Sequence, residues 1–202
     1  EAGTTEGDVV VNLNKGLEAT AKGAVVHQIF GCNDMNGSPL GSVTVNIYKT
    51  QNADDVATQI ANGGEVTTAK RENHYDVEAV YGGGNLAAYV PTATDAKASV
   101  NIYGCHETSI RQVYGGGNAA SVPATAVEIN GTFEIDEAFG GGNGKDLLPN
   151  GDPNPGANVG YKNYTVYVTK DGKKVAEDDP NYDTKEERIA EGSEIFLHLK
   201  LL

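Results

Sequence analysis

One short phrase occurs three times in this chain: an apolar residue, an aromatic residue, three glycines and an asparagine. The copies occupy residues 80–85, 113–118 and 138–143, and a degraded copy covers residues 29–33. A phrase repeated in this way is typical of stacked copies of one structural unit. The sequence therefore constrains the architecture more strongly than it constrains the function.

Apolar residues recur at fixed distances from the repeated aromatic residue. The position directly before it and the position four before it are apolar in every copy, as expected for buried positions in stacked strands. A second pattern alternates as Val-x-Val/Ile, which is typical of strands that turn one face inward. It occurs at residues 43–47, 100–102, 127–129 and 166–168. Each repeat is predicted to contain two strands with a bend between them.

These patterns predict an all-β fold, a right-handed parallel β-helix (β-solenoid) with irregular loops and a capping C-terminal segment. The chain of 202 residues is predicted to form a single domain, residues 1–202. Three segments depart from the repeat. We interpret residues 51–73 as an insertion, residues 144–160 as a long loop, and residues 170–202 as the C-terminal cap.

The glycines and the asparagine of the phrase have a structural interpretation. A corner between strands needs positive φ angles and room for a neighbouring backbone, and glycine supplies both. Asn85, Asn118 and Asn143 are predicted to stack as a ladder of side-chain amides. A phosphate-binding glycine loop is the functional alternative, but Asp146 follows Lys145 where that motif requires serine or threonine.

The charge and composition of the chain limit the classes of partner that it can bind. Against 15 basic residues stand 28 acidic ones, for a net charge of −13, which disfavours binding to nucleic acid. There is no apolar run of about 20 residues, so we expect no membrane-spanning segment. The two cysteines, Cys32 and Cys105, have no metal-ligand spacing and are expected to be unpaired.

One column of the repeat carries charge. Glu78, Arg111 and Asp136 each lie three residues before a repeated aromatic residue. The structural interpretation is a ladder of ion pairs across neighbouring strands. The catalytic alternative is a polysaccharide lyase or glycoside hydrolase acting in a surface groove. Two carboxylates two strands apart would lie about 9–10 Å from each other, near the upper limit for an inverting glycosidase.

A second candidate site lies on the alternating strands. Tyr48 and Tyr103 occupy equivalent places, as do Asn46 and Asn101. Tyrosine rings stack on sugars and asparagine amides hydrogen-bond to hydroxyl groups, so these residues are candidate ligand-binding residues. They are also ordinary residues for a strand.

No metal site and no cofactor are predicted. Oxygen-rich turns at residues 33–37, 150–154 and 178–183 raise calcium as an alternative. None of them has the spacing of an EF-hand or of the calcium-binding nonapeptide repeat, and turn formation explains the same residues.

The pattern V-x-I…I-x-x-V-[FY]-G-G-G-N over residues 25–170 resembles repeats in large secreted or surface proteins of gut Bacteroidetes. The resemblance implies an exported location, secreted or at the cell surface, and carries no catalytic residue. We expect a non-enzymatic module for adhesion or for binding a polysaccharide or a cell-surface protein. The polysaccharide-cleaving enzyme remains the alternative.

Overall fold

The computed structural model describes residues 7–18, 21, 23–50, 75–93, 95–105, 107–144, 151, 156–160, 164–171, 174–175, 180–188 and 193–197. Within these ranges the chain forms twelve strands and no helix. The strands are β1 (Val9–Leu13), β2 (Gln28–Phe30), β3 (Val43–Ile47), β4 (Val77–Tyr81), β5 (Ala98–Ile102), β6 (Ser109–Tyr114), β7 (Thr125–Ile129), β8 (Glu134–Phe139), β9 (Tyr164–Val168), β10 (Lys174–Val175), β11 (Thr184–Arg188) and β12 (Ser193–Leu197).

The alternating strands β1, β3, β5 and β7 form a five-stranded parallel sheet together with β12, in the order β1-β3-β5-β7-β12. Its register matches the sequence pattern, because Val45 pairs with Val100 and Val100 pairs with Val127. The alternation of each strand turns these valines inward and the intervening polar residues outward. The predicted alignment of these three copies is confirmed.

The strands that precede the glycines form a four-stranded parallel sheet in the order β2-β4-β6-β8. The repeated aromatic residues lie in one row across it. The ring centroids of Phe30 and Tyr81 are 4.8 Å apart, and those of Tyr81 and Tyr114 are 5.0 Å apart. Phe139 stacks on Tyr114 at the same spacing of 5.0 Å. The predicted aromatic column is confirmed.

The predicted right-handed parallel β-helix is wrong. The described strands form two parallel sheets that receive strands alternately along the chain, together with a separate three-stranded antiparallel sheet, so the protein has a two-sheet fold instead of a β-solenoid. The repeat determines which residues are extended and in which register they pair. It does not determine how the strands are divided between sheets, because that depends on contacts between distant segments.

The fourth copy of the alternating pattern, residues 166–168, shows this most clearly. The sequence predicts that it joins the parallel stack, but it lies in β9, at the centre of the antiparallel sheet between β10 and β11. The next neighbour of β7 is β12 instead, which pairs with it in parallel. The predicted cap, residues 170–202, therefore supplies strands to two different sheets.

The other two irregular segments are described only in part. The predicted insertion, residues 51–73, lies outside the described residues. Within the predicted loop, residues 144–160, Val159 forms an isolated parallel bridge with Val122. In the described part of the chain there is no helix long and apolar enough to cross a membrane.

One hydrophobic core joins the two parallel sheets. Val45, Ile47 and Val100 enter it from the five-stranded sheet, and Val77 and Val80 enter it from the four-stranded sheet. All five are at most 1% exposed. Full burial of a valine or isoleucine side chain contributes about 1.5–3 kcal/mol, so this common core fixes the position of both sheets.

Close backbone contacts require glycine at most positions of the triplets. A Cβ on Gly82 would overlap the carbonyl oxygen of Gly115, and a Cβ on Gly115 would lie 2.6 Å from that of Gly140. The prediction of positive φ angles at these glycines is wrong, because none of those in residues 82–84, 115–117 and 140–142 has one. Glycine is needed here because the neighbouring repeat leaves no room for a side chain.

Candidate binding surface

A row of asparagine side chains crosses the five-stranded sheet on the face turned away from the core. Asn46 Nδ2 donates a hydrogen bond to Asn12 Oδ1 over 3.0 Å. Asn101 Nδ2 donates to Asn46 Oδ1 over 2.8 Å. Asn46 is only 8% exposed and uses both its carbonyl and its amide inside this ladder. Of the two predicted ligand-binding asparagines, Asn46 therefore has a structural contact on each side.

The two predicted tyrosines lie together on the same face. The ring centroids of Tyr48 and Tyr103 are 5.1 Å apart and the ring planes differ by 16°. Lys15 Nζ lies 5.8 Å from the centroid of the Tyr48 ring, within the range of a cation–π contact. Tyr103 is 39% exposed. The stack is thus anchored at Tyr48 and open at Tyr103.

Polar acceptors lie beside the open ring. Asn101 and Glu128 are opposite each other in the register of β5 and β7. Among the described residues, Asn101 Oδ1 receives no hydrogen bond and the Glu128 carboxylate has no hydrogen bond or ion pair. Burial raises the pKa of Tyr103, and the nearby Glu128 charge raises it further, so its hydroxyl stays protonated at neutral pH. The surface therefore presents a ring, a donor and two acceptors.

The charged column is only partly assembled. Arg111 Nη1 lies 2.7 Å from Glu78 Oε1, and both side chains are about one-third exposed. Asp136 is exposed and makes no ion pair or hydrogen bond with any described residue. The ion-pair interpretation is confirmed for Glu78 and Arg111 and is wrong for Asp136. A surface pair of this kind contributes about 0.2–1 kcal/mol.

The asparagines of the repeated phrase form a second ladder at the glycine corner. Asn143 Nδ2 donates to Asn118 Oδ1 over 2.8 Å, and Asn118 Nδ2 donates to Asn85 Oδ1 over 2.7 Å. Asn85 in turn donates to the Asp34 carboxylate over 2.7 Å. The predicted amide ladder is confirmed, and its role is to satisfy polar groups between repeats.

Three contributors were missed in the sequence. Asn12 begins the first ladder, Asp34 ends the second, and Lys15 covers Tyr48. A signal for Asn12 was present, because residues 9–13 repeat the Val-x-Val-Asn pattern of residues 43–47. A signal for Asp34 was also present, because it lies four residues after Phe30, as Asn85 lies four residues after Tyr81. Lys15 lies in the turn after β1, outside the alternating pattern.

The oxygen-rich turn at residues 33–37 is closed by its own side chain. Asn33 Nδ2 donates to the carbonyl oxygen of Asn36 over 2.7 Å, and Gly37 takes a positive φ of 80°. Most of residues 150–154 and part of residues 178–183 lie outside the described residues. Among the residues that are described, no three His, Cys, Asp or Glu side chains are grouped to hold a metal ion.

Comparison with known proteins adds no relative: no family model, curated protein or solved structure matches the chain. The function must therefore be argued from the chain's own geometry. That geometry defines a protein of two parallel sheets with one common core. Its outer face carries a tyrosine stack beside hydrogen-bond acceptors that no described residue occupies.

Proposed function

We propose that this chain is a non-enzymatic binding module that binds a neutral or amino-bearing glycan on the outer face of the five-stranded sheet. The observation that carries the proposal is the exposed Tyr103 ring, fixed by stacking on Tyr48 and lying on the same face as Asn101 and Glu128. A ring held in one orientation binds a flat ligand without the entropy cost of ordering it.

The chemistry of the surface favours a sugar. Sugar rings present C–H groups that pack on an aromatic face, and their hydroxyl groups donate hydrogen bonds to acceptors beside it. Asn101 Oδ1 and the Glu128 carboxylate supply two such acceptors. The net charge of −13 repels polyanions, so uronate-rich or sulfated polymers are disfavoured as ligands.

The module acts outside the cell or at its surface. This part of the proposal is supported by the resemblance of its repeats to secreted and surface proteins of gut Bacteroidetes. Adhesion to a glycan-bearing surface fits a broad, flat sheet face better than enclosure of a small ligand, because ligands bound in pockets need concave walls.

The test is direct titration with defined oligosaccharides. Chitosan and N-acetylglucosamine oligomers are the probes, and polygalacturonate oligomers are the acidic control. We expect saturable binding of a neutral or amino-bearing oligomer, with Tyr103→Ala weakening the affinity by about tenfold.

Tyr182→Ala is the matched control, because Tyr182 is also 39% exposed but packs against Tyr167, which lies in the antiparallel sheet. Its affinity should equal that of the wild type. The proposal fails if no oligomer binds, if only the acidic oligomers bind, or if Tyr103→Ala and Tyr182→Ala bind equally well.

A further inference from the structure

The outer edge of β8 is unpaired in the part of the chain that the structure describes. In the four-stranded sheet β8 has β6 on one side, and within the described part of the chain no strand lies on the other. Residues 136–139 are exposed. The other parallel sheet differs, because β12 continues it beyond β7. The two sheets thus end unevenly, and one strand position next to β8 is open.

The contacts that β8 makes with β6 indicate which side chains a strand on its open side should carry. On the β6 side, Gln112 Nε2 donates to Glu137 Oε2 over 2.7 Å, and Tyr114 stacks on Phe139. On the open side, Phe139 is 40% exposed and the Asp136 carboxylate has no partner among the described residues. An incoming strand would meet two carboxylates and an aromatic ring.

We propose that the free edge of β8 is a docking site for an extended basic peptide segment of another protein, added as a fifth, parallel strand of this sheet. The peptide places lysine or arginine opposite Asp136, a hydrogen-bond donor opposite Glu137, and an aromatic side chain on Phe139. Main-chain hydrogen bonds to the open edge provide affinity, and these side chains provide specificity, as in other cases of strand addition.

Contacts between equivalent residues of neighbouring strands within the chain support this choice of side chains. Arg111 pairs with Glu78 across neighbouring strands over 2.7 Å, and the aromatic column stacks at 4.8–5.0 Å throughout. A strand with the sequence of β6, Ser-Ile-Arg-Gln-Val-Tyr, would repeat both contacts on the open side of β8. That hexapeptide is therefore the probe that the structure itself specifies.

A second copy of this chain is a poorer occupant. Its own first strands, β1 and β2, begin the two sheets together, whereas the end to be covered has β12 on one sheet and an open position on the other. Two β8 edges would also place Asp136 and Glu137 of one copy near those of the other, and like charges oppose such pairing. A single basic strand avoids both difficulties.

The test is a charge-swap titration of the hexapeptide Ser-Ile-Arg-Gln-Val-Tyr, carrying a fluorophore, against the full chain. We expect saturable binding, weakened about tenfold by Asp136→Lys. A peptide with glutamate in place of arginine should bind the wild type poorly and the Asp136→Lys variant better. Asp171→Lys changes an exposed acidic residue in the turn after β9 and should leave the affinity unchanged.

Several results would overturn the proposal. If the peptide does not bind, or binds the wild type and Asp136→Lys equally well, the docking proposal is wrong. Restoration by the swapped peptide excludes misfolding as the cause of a loss. Self-association of the wild type that Asp136→Lys abolishes, measured by sedimentation, would replace the peptide by a second copy. None of these outcomes involves Tyr103, so failure here is separate from failure of the glycan proposal.

Discussion

Asn118 connects its neighbours on both sides, donating to Asn85 Oδ1 over 2.7 Å and accepting from Asn143 Nδ2 over 2.8 Å. It is 6% exposed. Loss of this side chain leaves a half-buried amide on each side without its partner. A ladder that relays hydrogen bonds between repeats is therefore most sensitive to change at its middle member.

We expect Asn118→Ala to lower the free energy of unfolding by about 1–3 kcal/mol. Asn143→Ala is the control, because Asn143 ends the ladder, is only half-buried, and its loss removes one bond of the ladder instead of two. Urea denaturation of both variants measures the difference. If both variants lose the same free energy of unfolding, the middle position of the ladder is no more important than its end.

Glycine at the corner of the repeat is required at some positions and replaceable at others. A Cβ on Gly82 would overlap the Gly115 carbonyl oxygen, whereas a Cβ on Gly141 would meet nothing within 4 Å. We expect Gly82→Ala to destabilise the fold by about 1–3 kcal/mol through forced backbone displacement. Gly141→Ala should be neutral or stabilising by up to about 1 kcal/mol. Thermal unfolding compares the two, and a neutral Gly82→Ala would contradict the close-contact explanation.

The local features of this fold were predictable because they repeat. Alternation identified the strands containing Val45, Val100 and Val127 and their register, and the repeated phrase identified the aromatic column and the amide ladder. Each of these depends on contacts between equivalent positions of neighbouring copies. Equivalent positions can be aligned in a sequence without any knowledge of the global topology.

The global arrangement was not predictable in the same way. Residues 166–168 have the alternation of the stacked strands, but their partners are the antiparallel β10 and β11. Alternation shows that a segment is a half-buried strand and leaves its neighbour undetermined. The β-helix prediction failed because it assumed that every copy of the pattern joins one continuous stack.

The candidate site was predicted in part. Tyr48 and Tyr103 are brought together as the spacing suggested, whereas Asn46 is buried in a ladder that includes Asn12. Whether an outward-facing asparagine is free or paired depends on the residue one strand away. For Asn46 that residue is Asn12, which lies in a further copy of the alternating pattern at residues 9–13.

The two cysteines differ in reactivity. Both are free thiols. Burial raises the pKa of Cys32 to about 12, so almost no thiolate forms there at neutral pH. Cys105 is exposed. We expect iodoacetamide at pH 8 to alkylate Cys105 in the native protein and Cys32 only after unfolding, as measured by peptide mass spectrometry. Alkylation of Cys32 at the rate of Cys105 would contradict the burial argument.

Two buried tyrosines predict a loss of stability in alkali. Burial is the main cause that raises the pKa of Tyr81 to about 12 and raises that of Tyr89 also. Tyr89 donates its hydroxyl to the Gly41 carbonyl oxygen over 2.6 Å, a bond that the phenolate cannot make. The folded state therefore retains protons that the unfolded chain releases above about pH 10. The contribution of these tyrosines to the free energy of unfolding is fully present below that pH and is lost as the pH rises toward 12.

Each such tyrosine contributes a slope of about 1.4 kcal/mol per pH unit in this window. Urea denaturation between pH 9 and 12, with tyrosinate absorbance followed in parallel, measures the loss. Tyr89→Phe should begin less stable at pH 8, because the hydrogen bond to Gly41 is missing, and then lose stability less steeply. Tyr182→Phe, at an exposed position, should leave the slope unchanged. Identical slopes for the wild type and Tyr89→Phe would exclude Tyr89 as a source of the alkaline transition.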